Sequence, residues 1–354
     1  MNVGVPKEIK PLEGRIALTP AAVGELVRAG HALYVQSGAG DASGYPDDDY
    51  RSAGATLLPD ATALYMRAQL IVKVKEPIAA EYPLLRSEHV LFSYLHLAAN
   101  PELTRVLQAK RLTAVAFETV PHGKHLPLLA PMSAIAGKLA VHIGATLLHA
   151  PRGGRGVLLG GHGDSERGRV VVLGAGEAGG AAAAQAVAMG AEVTVFARRP
   201  ESLARMRALG PNVQALESTP AAIGTALRTA DLLIGAVLIA GARAPRLVTD
   251  VMVQSMPRGA VIVDVSVDQG GCIETIRPTD YSNPTYVAHG VTHFAVTNMP
   301  GAVPRTASQA LSAVLLPYVL RLARAKWSED ADLRAGVNIL DGELVHPAVA
   351  AALK

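Results

Sequence analysis

Short β-branched apolar runs alternate along the chain with alanine-rich segments whose apolar positions recur at helical spacing. Residues 3–6, 32–36, 70–74, 90–95 and 114–118 predict strands, and residues 19–29, 47–53, 61–67 and 101–110 predict the helices among them. A long helical stretch, about 132–150, precedes a second series of strands at 169–173, 192–196, 213–216, 231–238, 260–264, 286–288 and 294–297. Helices over 177–189 and 201–209 fall within that series, and residues 151–167 form a glycine- and charge-rich loop. Residues 303–326 predict a last long helix that returns to the first domain, followed by Trp327 and a polar surface stretch over 328–341. Near-continuous apolar strands between helices indicate parallel sheets covered on both faces. The expected architecture is α/β: two Rossmann-like, doubly wound parallel-sheet domains with a cleft between them. The first, discontinuous, takes residues 1–128 plus 300–354 and carries the substrate; residues 129–299 form the dinucleotide-binding domain.

Composition narrows the class. Half of the 354 residues are apolar, enough to bury a core and exclude disorder, and Cys272 alone cannot form a disulfide framework. The longest apolar runs, 232–240 and 311–320, fall short of a membrane span, and the N-terminus carries no apolar signal core. The 33 basic and 30 acidic residues are interspersed, with no basic stripe among aromatics, so neither nucleic acid nor membrane is expected as a partner. A reducing cytoplasm is the expected compartment.

Residues 169–182 contain Gly174-Ala-Gly176-Glu177-Ala178-Gly179, a G-x-G-x-x-G between a β-branched strand and an alanine-rich helix. In that context the first glycine allows the turn, the second a close approach of backbone to a pyrophosphate, and the third tight helix–strand packing. The alternative is a tight βα turn with no ligand. At Ala197, 23 positions after Gly174, an NAD-binding site would place an acidic residue against the ribose. Ala197 followed by Arg198 and Arg199 instead offers room and charge for a 2′-phosphate, so NADP(H) is the preferred cofactor, with NAD(H) possible.

Polar residues at the expected strand ends supply candidate chemistry: Arg15 in the loop after the first strand, Lys75, His96, Asp264 and Asp268. Each has a plain alternative as a solvated charge, a core histidine or a turn cap. Together they suit a substrate with a carboxylate and a carbonyl or amine. Arg holds the carboxylate bidentately, Lys polarises the carbonyl, His moves protons near neutral pH, and Asp stabilises developing positive charge. There is no G-x-S-x-G, Walker A or H-E-x-x-H pattern, and no metal site is indicated.

Longer motifs carry a resemblance. Val5-Pro-Lys-Glu-Ile, Arg15-Ile-Ala-Leu-Thr-Pro, Val72-Lys-Val-Lys-Glu-Pro, Leu95-His-Leu-Ala, Leu129-Ala-Pro-Met-Ser, Gly153-Gly-Arg-Gly-Val, Asp268-Gln-Gly-Gly-Cys-Ile-Glu and Asn298-Met-Pro-Gly-Ala-Val-Pro-Arg-Thr resemble the alanine dehydrogenase family, which includes the nucleotide-binding part of proton-translocating transhydrogenase. The resemblance implies reversible oxidative deamination of alanine to pyruvate and ammonia, and a homo-oligomer, a hexamer or a dimer. It implies that Arg15 and Lys75 bind the substrate, that His96 is the general acid/base and that Asp268 is a second essential polar group. It further implies that Met132 and Ser133 line the site and touch cofactor, that Asn298 and Met299 flank the nicotinamide, and that Val237 and Leu238 pack on the cofactor. Ala197 departs from the family's Asp, Ala134 from its Glu, and the loop 159–166 is altered. A different small 2-oxo acid or imine, or a transhydrogenase subunit without a substrate of its own, are the alternatives. Retention of Arg15, Lys75, His96 and Asp268 argues against the subunit.

Overall fold

The computed structural model describes residues 1–123, 125–238 and 244–353; positions 239 and 240 of the apolar run 232–240 fall outside it. The chain divides into two units, Met1–Met132 with Gly301–Lys354, and Ser133–Pro300. The first opens with β1 (Asn2–Val5), β2 (Ala32–Gln36), β3 (Thr56–Leu58), β4 (Leu70–Val72), β5 (Val90–Ser93) and β6 (Thr113–Ala116), in the spatial order β6-β5-β4-β1-β2-β3. All five pairings among them are parallel. β4 is buried along its whole length, as a strand with helices on both faces must be. The helix Pro20–Arg28 starts on Thr19 with proline at its first position and ends before Gly30, whose φ of +85° suits glycine. The three-residue β3 has too short an apolar signal to be predicted; pairing with β2 forms it.

The helix Ala130–Leu147 leads into the second unit. There β7 (Arg169–Leu173), β8 (Glu192–Ala197), β9 (Val213–Glu217), β10 (Leu232–Gly235), β11 (Val261–Asp264), β12 (Thr285–Ala288) and β13 (Val291–Phe294) form one sheet in the order β12-β13-β11-β10-β7-β8-β9. Only the β12–β13 pairing is antiparallel. The order reverses at β7, between β8 and β10, which creates a crevice beyond the carboxyl ends of those strands. Val170, Val172, Ala182, Ala183 and Ala186 pack in the core there, and their small side chains let the helix Glu177–Ala188 lie close to the sheet. The strand expected at 294–297 lies three residues earlier. His289 and Gly290, both with positive φ, make the β12–β13 turn, and Thr292 and His293 are buried despite their polarity.

The C-terminal segment rejoins the first unit. The helix Pro304–Leu322 packs on the loop after β1, where Ser308 Oγ accepts the Ile16 N–H at 2.9 Å and Ser312 Oγ accepts that of Thr19 at 3.0 Å. These bonds fix the backbone on either side of residues 16–19. The expected polar surface loop over 328–341 is a correction. It holds the helix Ala331–Ala335 and β14 (Val337–Leu340), whose first three residues are buried. β14 adds antiparallel to β6, and β15 (Glu343–Leu344) pairs with β14. The buried Asn338 in the strand's middle, which bonds Thr119 Oγ1 at 2.7 Å, breaks the apolar signal. No helix among the described residues is long and apolar enough to cross a membrane.

Candidate functional site

In the second unit the three glycines of the loop after β7 are separable by geometry. Gly174 has φ +100°, and a Cβ there would lie 2.3 Å from the Ala236 carbonyl oxygen. A Cβ on Gly179 would lie 2.0 Å from the Gly174 oxygen, so only glycine lets the helix approach the strand. A Cβ on Gly176 would meet nothing within 4 Å. Gly176 is therefore spared by its own fold, and the open space beside its backbone, at the start of the helix Glu177–Ala188, suits an incoming phosphate. Glu177 is exposed in the first turn and Ala178 half-buried. The sequence reading missed two supports: Gly137, whose Cβ would lie 2.0 Å from the Ala178 oxygen, and Arg205, which donates to the Ala175 carbonyl.

β8 ends at the buried Ala197, while Arg198 and Arg199 are exposed. Arg199 is also the residue that precedes the helix Pro200–Arg207. Beyond β10, Val237 is anchored through its N–H to Ser266 Oγ at 2.9 Å, and Leu238 is half exposed. Asn298 has a left-handed φ of +62°, and the buried Met299 accepts from the Tyr281 hydroxyl at 2.9 Å. Ser133 is half-buried on the helix Ala130–Leu147.

Asp264 and Asp268 divide their work. Asp264 is fully buried and accepts the N–H groups of Ser266 and Cys272, each at 2.8 Å. Burial pushes its carboxyl up to about 6 against these bonds. It is the organiser of the loop, whereas Asp268, in the short 3-10 turn Val265–Gln269, is exposed and available to a ligand.

In the first unit the strand order decides which loops are neighbours. β6, β5, β4 and β1 lie side by side, and beyond their carboxyl ends come Glu118, His96, Lys75 and the loop 7–15. Arg15 is 2% exposed. Glu13 receives its Nε at 2.7 Å, its Nη2 at 2.5 Å and its backbone N–H at 3.0 Å. Its Nη1 contacts Met132 Sδ at 3.2 Å. Burial would lower the Arg15 pKa, but Glu13 outweighs it and raises it, so the guanidinium is charged. Lys75 Nζ lies 3.8 Å from Glu76, which also binds Lys10 at 2.5 Å. Burial opposes ionisation of Glu76, and the two ammonium groups more than offset it, holding its carboxyl below the usual range.

His96 has a left-handed backbone, φ +48°, and its side chain is 43% exposed, unlike a core histidine. Its ring stacks on Tyr94 at 5.9 Å between centroids, and the Tyr94 hydroxyl donates to the Leu128 carbonyl at 2.6 Å. Behind Lys75 lies a buried cluster that the sequence reading did not single out. Lys73 Nζ sits 3.3 Å from Glu8 and 3.0 Å from Glu81, and Glu8 accepts the Val74 N–H at 2.5 Å. Burial raises the Glu8 carboxyl more than Lys73 lowers it. The pattern Val72-Lys-Val-Lys-Glu carries no signal that separates the two lysines, since positions two apart share a face of an extended chain; in the fold the Lys73 side chain is 1% exposed and that of Lys75 12%. The structure thus groups Arg15, Lys75, His96 and Met132 in one unit, and the glycine loop, Ala197–Arg199, Asp268 and Asn298 in the other. No group of metal-binding side chains occurs among the described residues.

Comparison with known proteins places these features in a family. Residues 4–136 match the model described as alanine dehydrogenase/PNT, N-terminal domain, and residues 140–347 match that of the C-terminal domain. Alanine dehydrogenase of Bacillus subtilis (strain 168) is 47% identical over 356 residues, covering 99% of this chain and 94% of the relative. A solved structure of L-alanine dehydrogenase superposes with a TM-score of 0.95 at 50% identity, covering 99% of both chains. A transhydrogenase from Sinorhizobium meliloti superposes with a TM-score of 0.86 at 28% identity, covering 98% of this chain and 100% of that one.

Proposed function

The chain belongs to the alanine dehydrogenase/PNT family, and from that premise we propose that it is an amino-acid dehydrogenase that interconverts alanine with pyruvate and ammonia. The observation that carries the reading is the pairing of near-complete alignment to alanine dehydrogenases with a charged, buried Arg15 beside Lys75 and an exposed His96 at adjacent strand ends. A transhydrogenase subunit has no use for a substrate carboxylate clamp or an acid/base, and the relative of that kind is the more distant of the two solved structures.

Arg15, held flat by Glu13, binds the carboxylate of the 2-oxo acid through two N–H donors, and Met132 supplies a soft wall beside it. Lys75 donates to the carbonyl oxygen. Addition of ammonia to that carbonyl gives a carbinolamine, and loss of water from it needs a proton delivered to the departing hydroxyl; His96 provides it and recovers one in the reverse direction. Asp268 stabilises the positive charge of the resulting iminium carbon and nitrogen. The nicotinamide cofactor, when bound, supplies or accepts the hydride at that carbon. The residues fit such a group: Gly176 leaves open space at a helix start, and Gly174 and Gly179 close the turn around it. Ser133, Glu177, Ala178, Val237, Leu238, Asn298 and Met299 would complete its surroundings.

NADP(H) is the preferred form. Ala197 leaves the ribose edge without a competing carboxylate, and the two exposed arginines offer positive charge to a 2′-phosphate. The chain is expected to assemble with itself, which light scattering on the purified protein would measure. Function is tested by following nicotinamide absorbance with ammonium, NADPH or NADH, and a panel of small 2-oxo acids and cyclic imines. Pyruvate with NADPH gives the highest kcat/KM under this reading. Turnover confined to an imine, or hydride exchange between nucleotides without any 2-oxo acid, overturns it.

A further inference from the structure

We infer that Glu118 is a positioning residue for the reaction, holding the left-handed backbone at His96 from the neighbouring strand; the inference rests on the acid/base role proposed for His96. Glu118 lies in the turn Phe117–Thr119 directly after β6, and His96 follows β5, the strand paired with it. The register places Ser93 opposite Ala116, so the two loops leave the sheet side by side. One carboxylate oxygen of Glu118 accepts the His96 N–H at 2.6 Å and the Leu95 N–H at 3.2 Å, and the other lies 3.3 Å from Leu95 N. The first oxygen is also 4.0 Å from His96 Nδ1.

A non-glycine residue at φ +48°, ψ 39° occupies an unfavourable well and stays there only when its surroundings dictate it. Positive φ occurs at six non-glycine positions among the described residues, and at His96 the group that dictates it is the Glu118 carboxylate. Two successive N–H groups converge on a single carboxylate whose side chain is 14% exposed, where charge-assisted bonds are strong. Tyr94 restrains the ring by stacking on it, while Glu118 restrains the backbone. The groups facing the carboxylate are His96, Tyr94, whose hydroxyl is raised chiefly by burial, against Arg15 and with a smaller push from Glu118, and His346 of the C-terminal segment. Without Glu118 the loop 95–98 can relax to negative φ, which carries the imidazole away from its working position. A displacement of about 1 Å from the working geometry costs on the order of 10²-fold in rate.

The test is a double-mutant cycle on the full-length protein, with kcat, KM for the 2-oxo acid and cofactor dissociation constant as readouts. Glu118→Ala is expected to lower kcat by roughly 30-fold or more while KM and cofactor affinity stay within about 3-fold. Glu118→Gln keeps an acceptor oxygen for both N–H groups and is expected to return kcat to within about 5-fold of wild type. In a His96→Ala background, Glu118→Ala should cost no more than about 2-fold. Should Glu118→Ala not fold, Glu118→Asp, which withdraws the carboxylate by one methylene, carries the same comparison. Wild-type kcat in Glu118→Ala or Glu118→Asp, or losses that add to a slow His96→Ala, overturn this inference alone. Wild-type turnover by His96→Ala overturns the acid/base assignment and this inference with it.

Discussion

Glu13 and Arg15 form a clamp built from one three-residue stretch of loop: the carboxylate takes the arginine's backbone N–H, its Nε and its Nη2, and both side chains are buried. The arrangement fixes the plane of the guanidinium before any substrate arrives. Removing one member of a buried pair leaves an uncompensated charge, a loss of about 3–5 kcal/mol. Glu13→Gln is therefore expected to lower the thermal midpoint and to raise KM for the 2-oxo acid about 10-fold or more, with a smaller change in kcat. Arg15→Ala should raise KM further. An unchanged KM in both variants would show that the carboxylate is held elsewhere.

The arginines after β8 make cofactor choice a matter of a few side chains. Ala197→Asp is expected to lower the NADPH-to-NADH ratio of kcat/KM by about 10-fold or more, because a carboxylate there repels a 2′-phosphate and accepts from a 2′-hydroxyl. Arg198→Ala should weaken NADPH alone. Steady-state kinetics with both cofactors decides it; an unmoved ratio means the phosphate is read at another position.

The glycine loop separates ligand effects from folding effects. Gly179→Ala would press a methyl group 2.0 Å from the Gly174 oxygen, so both the melting temperature and cofactor affinity should fall. Gly176→Ala has room in the fold, so its melting temperature should stay near wild type while cofactor affinity drops. Equal affinity in Gly176→Ala, by fluorescence titration, would remove Gly176 from the cofactor site.

Asp264 sets a pH dependence of stability. Its carboxyl sits at about 6 in the folded chain against an ordinary 3.8, raised by burial. Between those values the folded state holds more protons than the unfolded state, so this group's contribution to stability falls as pH rises through that window and is level above it. Asp264→Asn abolishes the slope and, having one acceptor oxygen in place of two, loses a bond to Ser266 or Cys272. Denaturant midpoints from pH 4 to 7 for the two proteins measure the difference; parallel curves would assign the slope to other groups, Glu8 among them.

Much of the molecule was legible in the order of its residues, because the deciding interactions are local. Apolar periodicity located β2, β7 and the helices Ala61–Arg67 and Pro101–Lys110 to the residue. The three glycines have roles dictated by a turn, an open backbone and a close crossing, all within six positions. Ala197-Arg198-Arg199 is legible for the same reason, since strand length sets its distance from the loop. Arg15, Lys75 and His96 announced themselves as polar residues after apolar runs.

What tertiary structure alone decided is whatever depends on pairing between distant segments. β14 is a strand because β6 offers an edge some 220 positions earlier, and its buried asparagine hid it. Lys73 is a buried partner of Glu8 and Glu81, while Lys75, two residues on, pairs with Glu76 instead; both follow the end of β4, where strand alternation no longer applies, so only the folded loops assign their partners. The strand order β6-β5-β4-β1 brings Glu118, His96, Lys75 and the loop of Arg15 to one edge although 103 positions separate Arg15 from Glu118. A sequence records the chemistry a residue carries and the local geometry its neighbours permit; which carboxylate meets which cation is fixed by the sheet that closes around them.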